Sequence, residues 1–140
     1  MNVPAGAGDL GSARPIELPS HADGRGVLTA IESGEDVPFE VRRVYLLHHL
    51  TGERGGHAHR DTHQLVIAAS GSCDLLLGDG RETRTFHLDD PELGVYFGPM
   101  LWIQVKDVSP GGVVVVLAST HYDKSRSIRT WEEYLEAVRR

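Results

Sequence analysis

The hexapeptide Arg54-Gly55-Gly56-His57-Ala58-His59 stands between two apolar runs, at 41–50 and 65–69, and its reading decides the kind of fold. Successive side chains of an extended strand point to opposite faces, so residues two apart share one. His57 and His59 therefore project together, into the interior if the strand belongs to a barrel. Paired imidazoles suit two tasks, holding a metal ion or moving protons near neutral pH.

Working outward, β-rich runs at 27–32, 41–50, 65–69, 74–77, 84–88, 94–97, 101–105 and 113–118 are punctuated by turn residues such as Asp23-Gly24, Gly78-Asp79-Gly80, Asp90-Pro91 and Pro110-Gly111-Gly112. Many short strands at near-regular spacing imply a sandwich or barrel, and this number suits an all-β jelly roll. The period changes near the C-terminus. Thr130-Trp131-Glu132-Glu133 has the form of a capping box, and Trp131, Tyr134, Leu135 and Val138 follow at helical spacing. A short amphipathic helix packed on the barrel is the expectation. With no repeat or linker, residues 15–140 read as one cupin-sized domain and the Gly/Ala-rich residues 1–14 as a flexible tail. That tail holds Gly6-Ala7-Gly8-Asp9-Leu10-Gly11, a G-x-G-x-x-G string without the strand that must precede a dinucleotide fingerprint.

The apolar fraction of 40% in 140 residues is enough to bury a core. A formal net charge of −6 leaves no basic stripe for phosphate backbones, so nucleic acid is not an expected partner. No apolar run approaches a membrane-spanning length, and residues 1–13 lack the basic-then-apolar order of a secretory signal. The single cysteine, Cys73, allows no intrachain disulfide and has no base beside it in sequence, so it reads as strand filling. A cytoplasmic location is the expectation.

Jelly rolls with an H-x-H pair resemble the cupins, whose metal-binding members add a carboxylate on the next strand and a third histidine on a later one. A catalytic metal needs about three protein ligands and an open position. Here Gln64 falls where that glutamate would stand, and Ile103 and Gln104 occupy the late strand. An amide and an alkyl chain are poor ligands for a divalent ion. His63 alternates with the pair, and the spacing leaves open whether it faces the cavity. The balance of residues favours acid–base work without a metal or other cofactor.

The chain resembles the nucleotide-sugar 3,4-ketoisomerases, small cupins acting on dTDP-4-keto-6-deoxyglucose. The resemblance rests on Asp23-Gly24-Arg25-Gly26-Val27-Leu28, Val37-Pro38-Phe39, Arg42-Arg43-Val44-Tyr45, the Arg54–His59 hexapeptide, Gln64-Leu65-Val66, and Val116-Leu117-Ala118-Ser119-x-His121-Tyr122-Asp123 with Ile128-Arg129. It runs from about residue 16 to 134. It implies a cofactor-free isomerase that turns a 4-keto sugar into the 3-keto sugar through an enediol. Such products feed 3-amino-3,6-dideoxy sugars of antibiotics or surface glycans. It also implies a homodimer with exchanged N-terminal strands.

By the same resemblance His57 is the base at C3, His59 carries the proton or orients sugar oxygens, and Tyr45 donates to a sugar oxygen. Imidazole titrates in the range such a base requires. Arg25 and Arg54 are assigned to the sugar or pyrophosphate, Arg54 because a planar guanidinium matches paired oxygens. Trp102 either stacks on the thymine or sugar or fills the core, and Gln64 either bonds the substrate or orients His59. Ile103 is the main departure, since relatives carry histidine or arginine there, and it leaves the C4 configuration of the product open. Two other classes remain beside the isomerase. One is a metal-dependent cupin oxygenase or hydrolase using His57, His59 and His63; the other is a non-catalytic sugar-nucleotide binding module.

Overall fold

Alternation of apolar and polar residues builds two antiparallel sheets that face each other across the core. The computed structural model describes residues 6–139, with the backbone alone described at 54 and 55. One sheet runs β1 (Arg14–Glu17), β9 (Leu93–Phe97), β6 (Gln64–Ser70), β11 (Val113–Ala118) and β4 (Arg43–Leu47). The other runs β12 (Ser127–Ile128), β5 (Arg54–His59), β10 (Trp102–Lys106), β7 (Cys73–Gly78) and β8 (Thr83–Leu88). A separate hairpin joins β2 (Ser20–Asp23) to β3 (Gly26–Thr29). This is the jelly roll that the strand count led one to expect, of the cupin type that the resemblance implied.

Three apolar clusters follow from which face each strand presents. Leu75, Leu77, Phe97, Leu101, Val105 and Val114 fill the space between the sheets. Leu65, Ile67 and Leu117, on the other face of the first sheet, are covered by Val37 and Phe39 from the long connection before β4. Ala58, Trp102 and Ile128, on the outer face of the second sheet, lie under α1 (Trp131–Val138) through Tyr134 and Val138. The Thr130 side chain accepts from the Glu133 backbone N–H at 3.2 Å, so half of the capping box forms. No helix among the described residues is long and apolar enough to cross a membrane.

The strands expected at 65–69, 74–77, 84–88, 94–97, 101–105 and 113–118 form within a residue or two of those limits. Two expectations need correction. The run at 27–32 ends at Thr29, because it is half of a free-standing hairpin and pairs only with β2. The tail expected at 1–14 is built into the fold from about Gly8 onward. Gly8 donates to the Met100 carbonyl at 2.8 Å, Leu10 and Ala13 are buried in the central cluster, and β1 begins at Arg14. A small-residue segment carries no periodicity to betray such docking; Gly8 works because its backbone must approach closely, and a Cβ there would lie 2.1 Å from the Pro99 carbonyl oxygen. The remainder of the tail, residues 1–5, lies outside the described residues.

Candidate active site

Strand β5 delivers both imidazoles to one side. Pairing with β10 sets Ile103 opposite His57 and Gln104 opposite Gly55, so Gly56 is the extra residue of a β-bulge. Its φ of 70° lies in the left-handed region that favours glycine, which accounts for the Gly-Gly before the histidines. After the bulge the alternation is clean. His57 and His59 line a cavity, while Ala58 between them is fully buried beneath α1. The two rings stand 4.8 Å apart between centroids, at 80° to each other.

The cavity holds about 1050 Å³. Its lining combines the apolar Leu47, Val66, Ile103, Val105 and Val116 with the cations Arg43, Arg126 and Arg129 and the polar Tyr45, Gln64, Thr120, His121 and Tyr122. Volume and lining suit one small organic ligand with both apolar and anionic parts. At the wall Arg126 pairs with Asp61 at 2.6 Å, bridging the loops that follow β5 and β11.

Burial first, and then the neighbouring His57, Arg43 and Arg129 charges, lower the His59 pKa from its ordinary value to about 4, against a smaller pull from Asp61. The ring is therefore neutral at pH 7. Its Nε2 is buried without a hydrogen-bond partner among the described residues, and so is the Arg43 Nε. Buried polar atoms left unpaired cost about 1–3 kcal/mol each, a cost that a bound polar ligand removes. The Arg43 guanidinium lies over Tyr45 at 5.3 Å and Tyr122 at 5.6 Å, a cation held between two rings.

The expected site residues divide accordingly. His57, His59, Tyr45, Gln64 and Ile103 meet in the cavity. Trp102 does not: it is 8% exposed, packed edge-on to Trp131 at 5.3 Å under α1. Neighbouring residues of one strand cannot share a face, so Ile103 inside requires Trp102 outside. Arg25 sits at the hairpin turn, its side chain 91% exposed and paired with Asp23 at 2.8 Å, away from this chain's cavity. The Arg54 side chain lies outside what is described; its backbone pairs with Val105. Cys73 is buried with its pKa raised to about 11 by desolvation, which keeps the thiol protonated and inert.

The same alternation could have found the residue that sequence reading missed. If Tyr45 faces inward on β4, so does Arg43. Arg126, Arg129 and the loop residues Thr120, His121 and Tyr122 carry no such signal, since only the tertiary fold brings them to the wall. His63 bonds its Nδ1 to the Tyr96 hydroxyl at 2.7 Å and stacks on Phe39, outside the cavity lining. It therefore cannot join the pair as a ligand. Among the described residues no three His, Cys, Asp or Glu side chains are grouped to hold a metal, so the donor set does not fit the metal of cupin oxygenases.

The family described as FdtA: WxcM-like, C-terminal matches residues 12–139. The TDP-4-oxo-6-deoxy-alpha-D-glucose-3,4-oxoisomerase of Aneurinibacillus thermoaerophilus is 38% identical over 118 residues, 83% of this chain and 85% of that protein. The crystal structure of QdtA, a sugar 3,4-ketoisomerase from Thermoanaerobacterium thermosaccharolyticum in complex with TDP, superposes with a TM-score of 0.88 at 35% identity, over 93% of this chain and 96% of that one. A mutant of the same enzyme in complex with TDP-4-keto-6-deoxyglucose superposes equally well, with a TM-score of 0.88 at 34% identity over 93% and 96% of the two chains.

Proposed function

The chain belongs to the FdtA family, WxcM-like, C-terminal, and from that membership we propose that it is a 3,4-ketoisomerase converting TDP-4-keto-6-deoxyglucose to the 3-keto sugar. The observation that carries the reading at the level of chemistry is the pair of adjacent imidazoles in a half-enclosed cavity, one of them neutral with an unpartnered ring nitrogen.

Moving a ketone by one carbon needs a proton removed from C3 and a proton returned at C4. The resemblance assigned the first step to His57. His59, a neutral ring whose Nε2 has no partner among the described residues, stands beside it to receive and pass on the proton. As the C3–H bond breaks, its electron pair forms the C3–C4 double bond and the C4 carbonyl oxygen takes a proton, giving the enediol. Loss of the proton on O3 and delivery of one to C4 completes the exchange. No electrons leave the sugar, so no redox partner is needed. Tyr45 stands in the same cavity as a hydrogen-bond donor for the oxygen on which charge develops. Arg43 takes the anionic part of the substrate, a role that the resemblance assigned to Arg25 and Arg54. NMR of the product formed from TDP-4-keto-6-deoxyglucose in deuterated water tests the reading. The expected product is the 3-keto sugar with solvent deuterium at C4; unchanged substrate without C3 exchange would leave a binding module instead.

The reading extends to a homodimer with exchanged N-terminal strands. β4 is the edge of its sheet, and Val44 and Leu46 on its outer face are more than half exposed, as are Val27 and Leu28 on the hairpin. A long, apolar, unpaired edge is a surface that proteins usually cover. Seating the hairpin on the β4 edge of a second copy buries both patches and carries Arg25 toward the other copy's cavity. The expected molar mass in light scattering is twice the 15.3 kDa of the chain. Leu46→Glu should shift it toward the monomer, and a monomeric native protein at assay concentration would end the idea. The buried, unreactive thiol and the sugar-nucleotide substrate class fit a cytoplasmic setting.

A further inference from the structure

We infer that Gln64 is a positioning residue: by donating its amide N–H to the Tyr45 hydroxyl oxygen, it turns the Tyr45 proton toward the sugar oxygen on which charge develops. The inference rests on the isomerase reading and adds to it a second residue on the acid side of the reaction.

Gln64 Nε2 donates to the Tyr45 oxygen at 3.2 Å. Gln64 is 1% exposed, and both residues line the cavity with the imidazoles. The contact spans three strands of the first sheet. On β11, Ala118 stands opposite both Gln64 and Arg43, while the next inward residue, Val116, stands opposite Val66 and Tyr45. The small Ala118 side chain leaves room for the amide to cross β11 diagonally. A phenol oxygen has one proton. Once the amide N–H occupies a lone pair, that proton points elsewhere than at Gln64, so one competing direction is removed before the reaction begins. A glutamate at position 64 reverses the arrangement, because a carboxylate only accepts and so draws the Tyr45 proton to itself.

The consequence falls on the fate of the intermediate. When Tyr45 protonates O4 on schedule, the enediol proceeds to the 3-keto sugar. When it does not, the charged intermediate more often takes its proton back at C3. Loss of the Gln64 amide therefore slows product formation more than it slows exchange of the C3 hydrogen with solvent.

The test compares the native protein with Gln64→Glu, Gln64→Leu, Tyr45→Phe and the Gln64→Leu/Tyr45→Phe double variant. Chelator is present throughout, since a carboxylate at position 64 would give the His57–His59 pair a third ligand. Both Gln64 variants should lose about tenfold in kcat with KM within about twofold, in line with one reoriented neutral hydrogen bond. Their ratio of C3 exchange to turnover should rise, and Gln64→Leu should cost nothing further once Tyr45 is phenylalanine. An unchanged ratio, or losses that multiply in the double variant, would overturn the inference. If Gln64→Glu does not fold, Gln64→Leu carries the same comparison. Native protein that neither exchanges C3–H nor forms product removes the isomerase reading itself, an outcome distinct from a native enzyme whose Gln64 variants partition normally.

Discussion

Replacing His59 by asparagine is expected to lower kcat by about a thousandfold while TDP affinity stays within about twofold. Asparagine keeps a planar polar group of similar reach, so the cavity wall survives, but its amide nitrogen can neither receive nor pass on a proton. The native ring owes its readiness to two facts. Burial first, and then the charges of His57, Arg43 and Arg129, hold its pKa at about 4, so it is neutral across the working range. Its Nε2 has no partner among the described residues to displace before it can act. General base catalysis contributes about 10²–10⁴ in rate, which sets the scale of the loss. His57→Asn should also suppress turnover with TDP binding intact, because the rings touch edge-on and share the proton's path. Stopped-flow turnover and calorimetric titration with TDP separate the two quantities. A His59→Asn enzyme within about tenfold of native kcat would remove this ring from the proton's path.

How much of this was legible in the chain depends on whether a residue's role is local. The alternation of His57-Ala58-His59 announces two imidazoles on one side, and both rings line one cavity; the bulge at Gly56 lies outside that reading. Gln64 at the expected ligand position told against a metal, and its amide is engaged with Tyr45. Both readings need only period two and the chemistry of a side chain. His63 shows the limit: parity with the pair was correct arithmetic, but the chain turns between β5 and β6 and carries it to Tyr96 and Phe39. The sequence leaves Trp102 between stacking on the ligand and filling the core; with Ile103 facing the cavity, strand geometry permits only the second, and Trp102 is buried under α1. Arg43 was within reach of the same rule and was passed over beside the more familiar Tyr45. Arg25 differs again: it lies exposed at a hairpin turn, and only the proposed dimer would bring it to a cavity, which no pattern within one copy encodes.

Arg43→Met is expected to weaken TDP binding by about a hundredfold and, separately, to move the acid limb of the pH–rate profile upward. The first effect follows from removing a charged donor whose Nε is already desolvated and unpartnered; hydrogen bonds to charged groups contribute about 1.5–3 kcal/mol, or roughly 10–150-fold. Methionine retains a flexible apolar stem against Tyr45 and Tyr122, so the loss does not come from an emptied wall. The second effect has a definite sign. The Arg43 cation is among the charges that disfavour protonation of His59 and so hold its pKa below 6.5. Without it the imidazolium is penalised less, the pKa rises, and activity falls away at a higher pH as the medium is acidified. Arg43→Lys distinguishes the two contributions: its charge keeps the acid limb near the native position, while its single ammonium replaces the planar fork poorly and still weakens TDP. Unchanged TDP affinity together with an unmoved acid limb in Arg43→Met would reduce Arg43 to a lining residue and return the anion to Arg126 or Arg129, the other cations on the same wall.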